Sequence, residues 1–139
     1  MWSISELIPH REPMILIDRV LEAGDDFLVA EVVIRRRIPF FDGELGVPAW
    51  VGLEYMGQAI AALAGLRAKR AGLPMLPGLL IGCRRYSSRV HVFAPDRCLT
   101  VEVHETAGGR SLSTFAGTIR DGELLAESSI SVYQGHASS

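Results

Sequence analysis

The stretch VPAWVGLEYMGQAIAALAGLRAKR (residues 47–70) decides the fold. Pro48 suits the first turn of a helix, the residues after it are rich in Ala, Leu and Met, and Gly72 and Pro74 follow as stop signals. This pattern predicts a helix of about six turns. Because residues 50–66 are apolar almost all the way round, other parts of the protein must cover the helix on most of its sides.

Shorter apolar segments on both sides of this helix predict an antiparallel sheet. A short helix is expected after Ser3 and before Pro9, followed by strands at 14–23 and 27–34 around a turn at 24–26. The composition of 38–48 is typical of a loop. Five strands in an antiparallel meander are expected after the long helix, at 78–83, 89–93, 98–106, 111–120 and 123–133.

The length and composition exclude several classes of protein. A chain of 139 residues, 48% hydrophobic and 22% charged, is expected to form one domain over 1–139 with a disordered tail at about 134–139. The longest apolar stretch, 55–66, is too short to span a bilayer, and no secretory signal is visible, so we expect a cytoplasmic protein. Cys83 and Cys98 lack disulfide or metal spacing, so buried free thiols, no metal and no cofactor are expected.

Basic residues are concentrated in the middle of the chain. Residues 33–89 hold nine Lys or Arg against three acidic residues, although the whole chain carries a net charge of -2. The excess suggests an acidic partner, and nucleic acid is the weaker candidate because no binding motif accompanies it. An antiparallel sheet wrapped around one helix leaves edges uncovered in so small a chain, which predicts a homodimer or a higher homo-oligomer.

The polar residues of the long helix are the candidates for chemistry. Glu54, Tyr55 and Gln58 are its only strongly polar side chains between 48 and 66. A carboxylate among apolar neighbours loses hydration and needs hydrogen-bonding partners or a raised pKa, and Gln58 lies one turn away. Such a carboxylate suits acid or base catalysis, although Glu54 held by Gln58 for structural reasons remains an alternative.

Three segments resemble the β-hydroxyacyl-[acyl carrier protein] dehydratase family of hot-dog proteins. They are LIPHREPMILIDRV (7–20), the pair Phe40 and Phe41, and VPAWVGLEYMGQAIAAL (47–63). That family typically shows LPHRxPFLLVDRV near its start, FFxGHFPGxPxxPG before the helix and ExMAQ within it. The phrase GVPAWVGLEYM is closer still to the dehydratases predicted in aryl polyene pigment clusters. The resemblance implies an α+β hot-dog fold, a dimer and acyl thioesters of acyl carrier protein as substrates.

The resemblance also implies catalytic residues. Glu54 falls on the family's catalytic acid and Gln58 on the Gln of the same motif. In the family, a His before the helix abstracts the α proton while the Glu of the other subunit handles the β hydroxyl. Here FFDGELGVP (40–48) is four residues shorter than the family's loop, and Glu44 stands in place of that His. His10, in the PHR motif, is the nearest candidate for a replacement base.

Binding residues are expected at both ends of the long helix. Substrate is expected at Val47, Trp50, Val51 and Gly52, where helix N–H groups can polarise a thioester carbonyl. The candidates for docking an acidic carrier protein are the basic residues that follow or flank the helix, namely Arg67, Lys69, Arg70, Arg84, Arg85 and Arg89.

Three functions are compatible with this sequence. The favoured one is a 3-hydroxyacyl dehydratase of fatty-acid or polyene biosynthesis that uses Glu54 with a replacement base. The second is an acyl thioesterase that uses the same helix carboxylate. The third is a non-catalytic acyl-binding subunit in a hetero-oligomer with an active dehydratase.

Overall fold

The computed structural model describes residues 2–36, 38–74, 79–109 and 111–134 of the chain. Inside its strands, the side chains at 79–81, 83, 84 and 134 lie outside this description. Residues 135–139 of the predicted tail also lie outside the described residues.

A short helix opens the chain, as predicted. Helix α1 (Ile4–Leu7) begins after Ser3, whose backbone N–H and hydroxyl both donate to the Glu6 carboxylate at 3.0 Å. These hydrogen bonds stabilise the ionised carboxylate and hold the pKa of Glu6 below its ordinary value.

The long helix is also confirmed. It begins with a 3₁₀ turn (Ala49–Val51) and continues as α2 (Gly52–Arg70). Beyond its end Gly72 adopts a φ of +67°, a conformation that glycine reaches without steric cost. Every residue from 55 to 63 is buried, so the helix is covered on most sides.

Eight strands surround α2 in the described part of the chain. They are β1 (Arg19–Ala23), β2 (Phe27–Val33), β3 (Val47–Pro48), β4 (Leu79–Ser88), β5 (Val92–Phe93), β6 (Cys98–Ala107), β7 (Leu112–Asp121) and β8 (Glu123–Gln134).

The main sheet has six antiparallel strands in the order β1-β2-β6-β7-β8-β4, and β3 pairs with β5 in a separate two-stranded sheet. Helix α2 lies against β2, β4, β6 and β7. Strand β2 alternates buried and partly buried residues, as expected for one face packed on a helix. The predicted α+β architecture is therefore confirmed, with the core between the sheet and α2.

Several predicted strands differ from the observed ones. The meander holds only for β6, β7 and β8, because β4 pairs with β8 at the sheet edge and β5 pairs with β3. Strand β4 runs on to Ser88, and the loop at 38–48 ends in β3. The first strand begins at Arg19 rather than at 14, because the backbone of 14–17 bonds to a side chain of α2 instead of a strand.

The thiol of Cys98 is exposed, so the expectation of a buried thiol is wrong there. Cys98 is the first residue of β6, and side chains alternate between the two faces of a strand. Its neighbour Leu99 faces the core, which turns Cys98 toward solvent. The side chain of Cys83 lies outside the described part.

Candidate active site

Glu54 lies in the first turn of α2, with 49% of its side chain exposed. Its neighbours Gly52 and Tyr55 are buried, and Gly52 packs below Tyr86 and Ile119 of the sheet. Glu54 therefore faces outward where the helix begins, and the expected loss of hydration is wrong for a single chain. The carboxylate is open to a substrate.

His10 lies within ion-pairing distance of this carboxylate. Its Nε2 lies 3.7 Å from Oε1 of Glu54, and 30% of the imidazole is exposed. The structure thus brings together two of the predicted site residues, 44 positions apart in the chain.

The other ring nitrogen of His10 assigns the tautomer. Nδ1 is buried and has no hydrogen-bond partner among the described residues. Because a buried N–H without an acceptor costs more than an empty acceptor, the neutral ring carries its proton on Nε2, the nitrogen that lies 3.7 Å from Glu54. A base acting through Nε2 would need that nitrogen free of a proton. The arrangement suits His10 to hold the Glu54 carboxylate rather than to abstract a proton.

Gln58 is fully buried and does not bond to Glu54, so the expected contact between them is wrong. Its Oε1 accepts from the backbone N–H groups of Leu16 at 2.8 Å and Ile17 at 3.4 Å, and its Nε2 donates to the Met14 carbonyl at 2.7 Å. The segment at 14–17 therefore pairs with both polar atoms of the amide. No pattern in the sequence marks these partners, because they are backbone groups.

Arg11 braces the turn that carries His10. Its guanidinium donates to the carbonyl oxygens of Ile8, Pro9 and His10, at 3.3, 3.4 and 2.9 Å. The backbone N–H of Met14 donates to the Arg11 carbonyl at 2.8 Å. The PHR motif is a signal for this residue, although the sequence predicted no role for its Arg.

The predicted substrate-binding residues separate into two groups. Val47 and Val51 are fully buried in the core, and the Gly52 N–H donates to the Ala49 carbonyl. Trp50 is 64% exposed and packs edge-on against Phe40, with ring centroids 5.6 Å apart. Of these predicted contacts, only Trp50 presents its side chain at the surface.

Tyr86 was not predicted, and its hydroxyl donates to the carbonyl oxygen of Ala49 at the start of the helix. It thereby fixes the 3₁₀ turn beside Trp50. Glu44, in place of the family's His, lies exposed in a turn closed by the bridge between Asp42 and Gly46.

The predicted docking residues differ in whether their charge is already paired within the chain. Arg67 donates to the Asp25 carbonyl at 2.9 Å and pairs with Glu105 at 3.2 Å, so its charge is engaged within the chain. It lies about 20 Å along α2 from Glu54. Lys69, Arg70, Arg85 and Arg89 are exposed, and the side chain of Arg84 lies outside the described residues.

Neither a metal-binding cluster nor a membrane-spanning helix is found among the described residues. No group of three or more His, Cys, Asp or Glu side chains there is arranged to hold a metal ion. Neither is any helix in those ranges long and apolar enough to cross a bilayer.

The sequence matches a family model described as ApeP-like, ApeP dehydratase, over residues 2–139. A 3-hydroxyacyl-[acyl-carrier-protein] dehydratase FabZ of Streptococcus equi subsp. zooepidemicus is 44% identical over 65 residues, 46% of each chain. The FabZ of Streptococcus pneumoniae is 42% identical over the same share of both chains. The aligned part thus spans about half the length of these curated relatives.

Solved structures of similar shape include the dehydratase heterocomplex ApeI:P from Xenorhabdus doucetiae. One of its chains has a TM-score of 0.91 at 22% identity, over 99% of this chain and 93% of that one. The TT0310 protein of Thermus thermophilus has a TM-score of 0.68 at 15% identity, over 91% of this chain and 100% of that one. At these identities the likeness shows the fold alone, and it confirms the predicted hot-dog fold.

Proposed function

Because the chain belongs to the ApeP-like dehydratase family, we propose that it removes water from 3-hydroxyacyl thioesters of acyl carrier protein. The reaction would serve fatty-acid or polyene biosynthesis in the cytoplasm. The observation that carries the proposal is the exposed Glu54 carboxylate at the start of α2, with His10 Nε2 at 3.7 Å.

One carboxyl group can make both proton transfers of this elimination. The Glu54 carboxylate takes the proton from C2 of the substrate, and the electron pair of the broken C–H bond forms the double bond to C3. The C3–O bond breaks, and the same carboxyl returns its proton to the departing hydroxyl, which leaves as water. Glu54 ends the cycle ionised, as it began, and the product is an enoyl thioester.

In this mechanism His10 is a positioning residue. Its Nε2 lies 3.7 Å from Oε1 of Glu54, and the unpartnered Nδ1 favours the tautomer with the proton on Nε2. A hydrogen bond from His10 would hold one carboxylate oxygen while the other meets C2 of the substrate. This role replaces that of the general base predicted from the sequence.

Glu54→Gln tests the chemistry. It keeps the size of the side chain and removes the proton acceptor, so turnover of a 3-hydroxyacyl thioester should fall by about 10²- to 10⁴-fold. Turnover is measured by the absorbance of the enoyl product, beside an assay of free thiol. Urea unfolding of the variant should stay close to that of the parent, and near-normal turnover would exclude the catalytic role.

His10→Gln and His10→Leu separate positioning from base catalysis. Gln places an amide N–H near the position of Nε2, so His10→Gln should keep most of the activity that His10→Leu loses. Equal losses in both variants, as large as that of Glu54→Gln, would restore the general-base assignment.

The same assays distinguish the other two functions. Release of thiol without an enoyl product would identify a thioesterase. No reaction by the chain alone, with activity on adding a related dehydratase, would identify a non-catalytic subunit.

We also propose that a second protein chain covers an apolar patch at 40–50. The patch is made of Phe40 and Trp50, whose rings are in contact, together with the exposed Leu45 between them in the chain. Leu45 and Trp50 are 65% and 64% exposed, and single chains rarely leave such large apolar side chains grouped in water. A second copy of this chain is the expected partner. In a hetero-oligomer, a related dehydratase would take its place, as the ApeI:P heterocomplex suggests.

Carrier-protein docking is proposed at the exposed Arg85 and Arg89. Arg67 is a weaker candidate than the sequence implied, since Glu105 already pairs with it. An acidic carrier attracted by these charges should bind more weakly as salt rises, because the screening length is about 10 Å at 0.1 M. Only turnover of carrier-bound substrate, and not of a small thioester, should therefore fall with salt.

A further inference from the structure

Gln58 is the one polar side chain among the described residues that is fully buried. All three of its hydrogen bonds go to backbone groups of residues 14–17, which we group with 8–13 as the N-terminal segment. A buried amide with its donor and acceptor both engaged is expensive to disturb, because each group left unpaired pays its full desolvation cost. Gln58 therefore fixes the place of this segment on α2.

A second contact fastens the chain just before the N-terminal segment. A side chain at Gly65 would collide with the Leu7 carbonyl oxygen, so α1 lies directly on the backbone of α2 there. His10 lies between the two fastenings, in the turn that Arg11 braces. The turn that carries the imidazole is thus flanked on both sides by contacts with the helix that carries Glu54.

We infer that Gln58 is a positioning residue, whose amide fastens the N-terminal segment to α2 so that His10 stays against Glu54. The inference rests on the proposed function, because it assigns a role in that same site. Gln58 occupies the position that the sequence offered as catalytic, yet both polar atoms of its buried amide are hydrogen-bonded to residues 14–17. A displacement of about 1 Å at a reacting group can cost roughly 100-fold in rate.

Gln58→Leu tests this role, since it keeps similar bulk and removes all three hydrogen bonds. The expected result is a fall in kcat of roughly 100-fold with little change in KM, because Gln58 does not touch the substrate. In a His10→Leu background, Gln58→Leu should lower kcat by less than a further factor of about 2, because the residue through which it acts is already absent.

Two further variants exclude a general loss of structure. Leu63→Ala removes a buried side chain of α2 beyond Gln58, and it should lower stability while leaving kcat near that of the parent. Gln58→Met also keeps similar bulk, removes the three hydrogen bonds and buries no charge, so its loss of kcat should match that of Gln58→Leu. It also serves as the test variant should Gln58→Leu fail to fold.

A readout without turnover completes the experiment. In the parent, Glu54→Gln should shift the ring ¹H–¹³C resonances of His10, assigned by their loss in His10→Leu. In Gln58→Leu that shift should be largely lost, because the two side chains no longer adjoin.

Several results would overturn the inference. They are an unchanged kcat in Gln58→Leu, an equal extra loss in the His10→Leu background, and an equal loss of kcat in Leu63→Ala. An inactive parent protein would refute the proposed function alone. The His10 resonances would then test the positioning role of Gln58. A His10 that does not respond to Glu54→Gln in the parent, or still responds in Gln58→Leu, would refute the positioning role.

Discussion

Tyr55 is a buried ionisable residue directly beside Glu54, and its ring packs against Phe93 with centroids 6.0 Å apart. Burial disfavours the phenolate and raises the pKa of Tyr55 far above its ordinary value. The unfolded chain can lose this proton near pH 10, whereas the folded chain keeps it. The stabilisation is therefore complete below about pH 10 and is lost as the pH rises further.

Tyr55→Phe should remove this pH dependence. Above about pH 10, the free energy of unfolding of the parent should fall relative to the variant by about 1.4 kcal/mol per pH unit. Urea unfolding at several alkaline pH values measures the difference. The matched control is Tyr133→Phe at a half-exposed position, which should leave the steep alkaline loss in place. Parallel curves for Tyr55→Phe and the parent would contradict the assignment.

At the level of residues, the sequence named two side chains that the structure places near each other, but it did not predict their surroundings. Glu54 and His10 were both named, because an acidic residue in an apolar helix and the PHR motif can be recognised from the sequence alone. The exposure of Glu54 was missed because it depends on which side of the first turn the sheet leaves open. The partners of Gln58 were missed because backbone groups carry no sequence signal.

The contact between α1 and α2 gives a prediction for an element. Replacing glycine by alanine inside a helix ordinarily stabilises it by about 0.5–1 kcal/mol. At Gly65 the added methyl group meets the Leu7 carbonyl, so Gly65→Ala should instead lower the free energy of unfolding by about 1–3 kcal/mol.

Urea unfolding followed by circular dichroism checks the sign of this change. Ala61→Gly, in the same helix, is the comparison, and it should show a loss of ordinary size for removing a methyl group. A stabilised Gly65→Ala protein would mean that α1 moves away from α2 at little cost.

The elements themselves were predictable where composition alone determines them. Helix α2 was predicted with its bounds, because an all-round apolar stretch between Pro48 and Gly72 allows few alternatives. The predicted start of the first strand at residue 14 was wrong, because residues 14–17 have the apolar composition of a strand but bond to Gln58. The order of the strands in the sheet depends on distant pairings that local patterns do not record.

For the whole molecule, the apolar patch of Phe40, Leu45 and Trp50 predicts association. Sedimentation at micromolar concentration should give the mass of a dimer, and Trp50→Glu should shift it toward the monomer, because a charge cannot be buried unpaired in an apolar interface. Leu73→Glu alters an equally exposed leucine beyond the other end of α2 and should leave the dimer intact. A monomeric parent, or a dimer unaffected by Trp50→Glu, would count against this interface.

The fastening of residues 14–17 by a single glutamine has a consequence for how the protein opens. Strands in the main sheet are secured by ladders of backbone hydrogen bonds, whereas the hydrogen bonds that join this stretch to α2 all come from one side chain. Proteins open in parts, and segments with few bonds open at lower free energy than the global transition. The Glu54 carboxylate can therefore lose its histidine neighbour while the sheet remains folded. Under the proposed function, heat or denaturant would then inactivate the protein before it unfolds.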